Sequence, residues 1–535
     1  MKRWQNVNGI YQIYPRSFKD TNGDGIGDLA GITEKLDYIN GKPDSLGINA
    51  IWLSPFYPSP MADFGYDISD YCAVNPLFGT LDDFRRLIDE AHARDIKVMI
   101  DYVPNHTSDE HTWFQESKSS RENEKRDWYV WRDPKPDGTP PNNWLSVFGG
   151  SAWEFDPASG QYFLHSFLTK QPDLNWANPE VREAMCDVLH FWLKLGVDGI
   201  RADAVRWMSK DPEFRDNPLN PTYNPEAKTD PYFVQLQTHS RYGPQLFAYL
   251  RQISDVIESY PDRIVIFEDY PDAMLDLRSQ YSDFYAVNPH VAAPFNFEGF
   301  KTPYSAMEFR RFIDRFQADI GTVSRPFYCF GNHDNPRLVS RVGREQAKLV
   351  GLLQLTLPGT PVIYYGDEIG MEDGMIPPDK VHDPFEKQTP GLGLGRDPER
   401  TPMQWSNEPF AGFSRAEPWL PVADSFKTVD VIGELHDAAS FLYMYRALLS
   451  LRDMHVLRFG SYAPWEGSDE FVYGYFREDA ESQILILLNM SSEPTMRDVG
   501  IDGQIMYSTH MLESAMIGSF VALQAHHGVV IRNIR

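Results

Sequence analysis

The 535-residue sequence predicts an α/β protein: a (β/α)8 TIM barrel with an inserted subdomain after strand 3 and a C-terminal β-sandwich. Three observations carry this. Short apolar β-type runs alternate with helical stretches from Gly9 to Met454. A stretch rich in Pro, Gly, Asn and Trp, residues 105–175, interrupts the alternation and is too long for a simple loop. After Met454 only β-type runs follow.

The first runs are GIYQIY (Gly9–Tyr14), INAIWLSP (Ile48–Pro55) and IKVMIDYV (Ile96–Val103). Between the last two, Leu81, Phe84, Leu87, Ile88 and Ala91 recur at helical spacing within Leu81–Asp95. A second amphipathic helix, Val181–Gly196, ends at a capping glycine. Then come VDGIRADAV (Val197–Val205), RIVIFED (Arg263–Asp269), RPFYCFGNHD (Arg325–Asp334) and TPVIYYGDE (Thr360–Glu368). Runs this apolar along their whole length are buried on both faces, as in a parallel sheet. No GxGxxG follows the first run, which removes the main reason to prefer a dinucleotide-binding fold. A second Gly/Pro-rich interruption lies at Gly370–Pro398, and Ala439–Met454 reads as a helix. FVYGYFRE, SQILILLNM and GVVIRNI supply the final strands. The expected division is a barrel from 1–104 and 176–457, an insert from 105–175 and a terminal domain from 458–535.

Seventy-six acidic against 50 basic residues give a net charge of −26, which disfavours nucleic acid and anionic membranes and favours a small neutral substrate. An aromatic content of 14% excludes a disordered chain. The three cysteines form no CxxC pair, so neither a disulfide scaffold nor a Cys-rich zinc module is expected; buried thiols in a reducing cytoplasm are. MKRWQNVNGIYQIYPRSF has no apolar core typical of a secretory signal, and the longest apolar stretches, such as Leu349–Leu357, fall short of the ~20 residues of a membrane helix. Monomer and homo-oligomer stay equally open.

Barrel enzymes carry their chemistry at the C-terminal ends of the strands. Here the third run ends in Asp101-Tyr-Val-Pro-Asn105-His106, the fourth in Arg201-Ala-Asp203, the fifth in Glu268-Asp269 and the seventh in Asn332-His333-Asp334. One such Asp is an ordinary turn-former. Several charges at one mouth repel each other unless they serve a function.

These segments, DYVPNH, GIRADAV, IFED and FGNHD, resemble the four signature regions of the α-amylase family, glycoside hydrolase family 13. QPDLN (Gln171–Asn175) is similar to the fifth region in the form found in oligo-1,6-glucosidases and α-glucosidases. Ile10–Phe18, MADFGYDISDY (Met61–Tyr71) and RTPMQW (Arg400–Trp405) extend the resemblance nearly end to end. It implies a retaining double displacement, with Asp203 as nucleophile, Glu268 as acid and base, and Asp334 stabilising the oxocarbenium-like transition state. Asp203 lies two residues from Arg201 on one face of an extended strand, so it is expected ionised, whereas burial and nearby negative charge would keep Glu268 protonated. Asp269 points to the opposite face of its strand.

The resemblance further implies that His106 and His333 bind sugar hydroxyls, Asp101 holds Arg201, and Tyr66 stacks on the sugar ring. Asp63 and Arg400 would pair and close the pocket behind one glucose, which makes an enzyme exo-acting. Phe148, Phe167 and Phe297 would line the apolar sides, and Gln171 is a further candidate. Asp20-Thr-Asn22-Gly-Asp24-Gly-Ile26-Gly-Asp28 begins like an EF-hand, but Gly31 stands at its twelfth position instead of Glu. In related glucosidases this loop holds a structural Ca²⁺ (or Mg²⁺) through Asp20, Asn22, Asp24, the Ile26 carbonyl and Asp28; no organic cofactor is implied. In that subgroup Val after the nucleophile accompanies α-1,6 cleavage, so Ala204 favours α-1,4, maltose-like substrates. The segment Asp269-Tyr270-Pro271 departs from many α-glucosidases and places an extra carboxylate on the acceptor side. Transglucosylation, or sucrose isomerisation on the same scaffold, is the alternative. A non-catalytic amylase-like assembly protein would instead show a membrane span and eroded carboxylates, and neither is present.

Overall fold

The computed structural model describes residues 4–534 apart from 228, 271, 273–276, 322–324 and 511–514. Pro271 therefore lies outside the described residues. Eight parallel strands form the centre: β1 (Ile10–Ile13), β2 (Ala50–Leu53), β3 (Lys97–Tyr102), β4 (Gly199–Ala202), β5 (Ile264–Phe267), β6 (Ala292–Pro294), β7 (Phe327–Cys329) and β8 (Thr360–Tyr364). They pair in the order β7-β8-β1-β2-β3-β4-β5-β6. The circle closes through Asn296 just past β6: its N–H donates to the Phe327 carbonyl at 2.8 Å, and the Cys329 N–H donates to its carbonyl at 3.1 Å. Almost every strand residue is buried, as two-sided packing requires.

Strand β6 is the element that the apolar runs do not reveal. It is three residues long, ends in Pro294 and is alanine-rich, so it carries little β-propensity. Pairing with β5 holds it in place.

The helices form where their termini are satisfied. Thr80 and Asp83 make a reciprocal capping box at the start of Leu81–His92, and Phe84, Leu87, Ile88 and Ala91 face inward. Asn178 caps Pro179–Leu195, with Pro179 in its first turn, and Gly196 ends it at φ 110°, a conformation that favours glycine.

Register sets the height of the chemistry. Asp101 pairs with Arg201, Arg201 with Ile266, and Ala202 with Phe267. Asp203 and Glu268, one residue further on, therefore leave neighbouring strands at the same level.

Within the stretch after β3, Trp131–Arg132, Gln161–Leu164 and Trp153–Asp156 form a small antiparallel sheet over a core of Val130, Trp144, Ala152, Trp153 and Leu164. The long segment after β4 docks on it: Asn143 and Asn217 exchange hydrogen bonds at 2.8 Å, and the Trp144 indole donates to the Arg215 carbonyl at 2.8 Å. From Ser461 onward the strands are antiparallel, with a six-stranded and a two-stranded sheet. Gln483–Asn489 shows why its sequence is apolar throughout. Leu485 and Leu487 point into the sandwich core, while Ile484, Ile486 and Leu488 join the main core of the molecule. Among the described residues no helix is long and apolar enough to cross a membrane.

Candidate active site

Arg201 organises the rim. Its fully buried guanidinium donates from Nη1 to Asp101 Oδ1 at 2.7 Å and to Asp203 Oδ1 at 2.5 Å, and Nη2 lies 2.7 Å from Glu268 Oε1. Asp101 is held in turn by the Trp52 indole at 3.3 Å and the Tyr66 hydroxyl at 3.2 Å. Glu268 Oε2 accepts the Ala204 N–H at 2.8 Å. That donor faces the site because Ala204 is left-handed, at φ 49° and ψ 32°. A non-glycine residue held there costs roughly 1–2 kcal/mol, strain of a kind that gathers at functional sites.

Three carboxyls share this one cation. Burial pushes Asp203 well above the usual carboxylate range; Arg201 pulls it down, and the nearby Glu268 carboxyl pushes it up again. Asp101 is raised to about 6, by burial against the pull of Arg201. The guanidinium expected to keep Asp203 ionised is divided among three acids, Asp101, Asp203 and Glu268. Asp203 and Glu268 sit on the two arms of one guanidinium. Retaining glycosidases hold their two carboxyls ~5 Å apart and inverting ones ~6.5–9.5 Å, to admit a water. Here a single guanidinium holds both carboxyls, Asp203 at 2.5 Å and Glu268 at 2.7 Å.

The β7 end supplies the opposite wall. The His333 ring nitrogens lie 2.8 Å from the Gln12 amide and 2.6 Å from the Tyr66 hydroxyl, and the Tyr66 ring stacks on it at 5.4 Å. Burial drives His333 down to about 3 and His106 down to about 4, so both imidazoles are neutral hydrogen-bonding groups. Imidazole ¹⁵N shifts of His106 and His333 are expected to show no protonation between pH 7 and 5; titration near 6.5 would contradict their burial. Burial alone would raise Asp334, but His333, Arg400 and Arg396 outweigh it and hold this carboxyl well below the usual range. It is ionised.

The pairing expected between Asp63 and Arg400 is corrected here. Arg400 donates from Nε to the His333 carbonyl at 2.7 Å, which turns its Nη2 onto Asp334 at 2.8 Å. Asp63 is bound by Arg396 at 2.8 Å, and Arg396 also reaches Asp383 at 2.6 Å and Asp334 at 3.3 Å. The sequence reading did not include Arg396 or Asp383. Both sit in the Gly/Pro-rich stretch after β8, where no periodicity points at any one side chain.

On the insert side, Gln171 donates to Asp63 at 3.1 Å and lies 3.1 Å from a His106 ring nitrogen. Lys210, also missed, locks this wall to the barrel through Asp173 at 2.6 Å and Asn105 at 3.2 Å. Phe167 packs on His106 and Trp207, each at 5.0 Å, and Phe148 lies 5.0 Å under the Arg396 guanidinium. Phe297 is 1% exposed and sits behind Tyr270 at 4.6 Å, so it backs the wall instead of lining it. Tyr270 is the partly exposed ring there, its hydroxyl accepting from Asn332 at 3.1 Å and Asn335 at 3.3 Å.

Asp269 gives another correction. It is 1% exposed and its charge is met by Arg206, at 2.6 and 2.9 Å, so it adds no free carboxylate to the acceptor side.

The loop from Asp20 to Asp28 folds as successive Asx turns. Asp20 accepts the Gly23 and Gly25 N–H groups at 2.7 and 2.9 Å and the Ser414 hydroxyl at 2.5 Å. Asn22 accepts the Asp24 N–H, and Asp24 the Ile26 N–H, each at 2.9 Å. Asp28 caps the next helix through Gly31 at 2.6 Å. Its all-oxygen donors have the chemistry a hard divalent cation needs. Among the described residues, however, no group of three or more His, Cys, Asp or Glu is gathered as a metal centre.

Residues 12–460 match the family described as "Alpha amylase, catalytic domain". A probable alpha-glucosidase of Rhizobium meliloti (strain 1021) is 42% identical over 93% of this chain and 91% of its own. The oligo-1,6-glucosidase of Heyndrickxia coagulans is 38% identical over 93% and 94%. The crystal structure of an alpha-glucosyl transfer enzyme, XgtA, superposes with a TM-score of 0.91 at 40% identity, covering 99% of both chains.

Proposed function

The chain belongs to the α-amylase family, glycoside hydrolase family 13, and on that premise we propose that it is an exo-acting, retaining α-glucosidase releasing α-glucose from short α-glucosides. The observation that carries this is the Asp203–Glu268 pair gripped by the single Arg201 guanidinium, at 2.5 and 2.7 Å, with Asp334 on the facing strand end. Asp203 attacks the anomeric carbon and forms a β-glucosyl ester. Glu268 gives its proton to the departing oxygen and then takes one from water. Asp334 faces the positive charge that develops on the ring.

Exo action is supported by the ionic wall of Asp63, Arg396, Asp383, Asp334 and Arg400, which blocks extension beyond one sugar and offers charged partners to its hydroxyls. The small Ala204 beside the nucleophile supports α-1,4 over α-1,6 bonds. Rates across maltose, longer maltooligosaccharides, isomaltose and sucrose test this: maltose is expected fastest, and a preference for isomaltose would overturn the linkage. ¹H NMR of the first product is expected to show α-glucose; β-glucose would exclude retention. The similarity to a glucosyl transfer enzyme favours one second reading, in which a sugar or alcohol replaces water in the second step. Added acceptor would then divert glucose into new glucosides.

The loop Asp20–Asp28 is part of the proposal as a structural Ca²⁺ (or Mg²⁺) site, held by Asp20, Asn22, Asp24, the Ile26 carbonyl and Asp28. Asp20 Oδ1, Asn22 Oδ1 and Asp24 Oδ1 each accept one backbone N–H and keep a lone pair for a cation. Chelation is expected to lower Tm by several degrees with kcat at low temperature unchanged; an immediate loss of kcat, or an unmoved Tm, would contradict this. The thiols of Cys186 and Cys329 are buried as expected, whereas Cys72 is exposed, and all three being free supports a cytoplasmic setting.

A further inference from the structure

Asp269 is the feature of the fifth strand end that the catalytic reading leaves unused. Its Oδ1 accepts from Arg206 Nε at 2.9 Å and Nη2 at 2.6 Å, and its Oδ2 accepts the Tyr242 hydroxyl at 2.5 Å and the Gln280 amide. Arg206 is 4% exposed, and its Nη1 lies 3.6 Å from Asp272, which pairs with Arg241 at 2.6 Å. The pair joins two chain segments that each hold the acid. Arg206 follows by two residues Ala204, whose N–H grips Glu268 at 2.8 Å. Asp269 follows Glu268 directly. Arg206 also donates to the Tyr270 carbonyl, and Gln280 does so at 2.9 Å. The Tyr242 N–H closes the ring on the Arg206 carbonyl at 2.9 Å.

A pair buried this deeply contributes little net stability compared with apolar residues of the same shape, but it enforces one geometry. What it fixes here is the position of Glu268 relative to the segment that carries Asp203. We propose that the Asp269–Arg206 pair, braced by Tyr242 and Gln280, holds Glu268 at the distance needed to protonate the leaving group, which makes Asp269 a positioning residue on the aglycone side. This rests on Glu268 being the acid. A misplaced acid hurts poor leaving groups and spares those that depart unprotonated. A structural defect hurts both alike.

The test compares kcat/KM on maltose and on 2,4-dinitrophenyl α-glucoside for Asp269→Asn, Tyr242→Phe and Glu268→Gln. Asp269→Asn is expected to lose ~10–100-fold on maltose and under ~3-fold on the aryl glucoside. Tyr242→Phe keeps the ion pair and removes one donor, so a smaller loss of the same kind is expected; it carries the test if Asp269→Asn does not fold. Equal losses on both substrates, or no loss on either, would overturn the inference. Glu268→Gln separates the two levels. If it fails to discriminate between the substrates, the assignment of the acid falls; if it discriminates and Asp269→Asn does not, only the positioning role falls.

Discussion

Asp203→Asn is expected to lower kcat on maltose by roughly 10⁴–10⁶-fold, the scale on which loss of a nucleophile is felt. The amide cannot form the glucosyl ester. The fold is expected to survive. Asp203 is one of three carboxyls around Arg201, and burial pushes it well above the usual carboxylate range. An acid raised in the folded state lowers stability once pH exceeds its unfolded value of ~4, because folding then opposes its ionisation. Asparagine removes that opposition, so Tm at pH 7 should hold or rise. Near-normal turnover would remove Asp203 from its role, and a collapse in Tm would show that it is part of the scaffold.

Arg396→Met is the second large effect. The guanidinium is the cation shared by Asp63, Asp383 and Asp334, and it stacks on Phe148. Methionine keeps much of the stacking volume and strips the cation from buried Asp63 and Asp383, while Asp334 keeps Arg400. Breaking a buried charge pair by removing one partner costs about 3–5 kcal/mol. Part of that falls on stability and part on sugar binding, so kcat/KM on maltose is expected to drop ~10²–10³-fold, mostly through KM. Arg396→Lys should rescue little, since a point charge cannot span three carboxylates as a planar fork does. A kcat/KM within threefold of the parent in Arg396→Met would show that the wall does not hold the sugar.

Most of the barrel and its rim can be read from the sequence because the strands are short, apolar and end in chemistry. Ile10–Ile13 and Thr360–Tyr364 stand out by their apolar character alone. Ala292–Pro294 does not, for its strand state comes from pairing with β5 and not from its own residues. The same contrast holds in the site. Asp203, Glu268 and Asp334 follow directly from strand ends, where position along the chain determines position in space. The partners of Asp63 and Arg400 do not, because they depend on which way each guanidinium fork is turned. The His333 carbonyl fixes that for Arg400, and a main-chain acceptor leaves no mark in a side-chain pattern. Asp269 illustrates the limit from the other side. Its strand face was legible, but the cation that neutralises it lies 63 residues away in the chain.

Reaction with 5-fluoro-α-glucosyl fluoride, followed by peptide mass spectrometry, tests the covalent step most directly. A glucosyl adduct is expected on the peptide containing Asp203, with turnover lost in step with labelling and regained as the ester hydrolyses. A label on any other carboxylate, or inactivation without a covalent adduct, would contradict the assignment of Asp203 as the group that carries glucose between the two halves of the reaction.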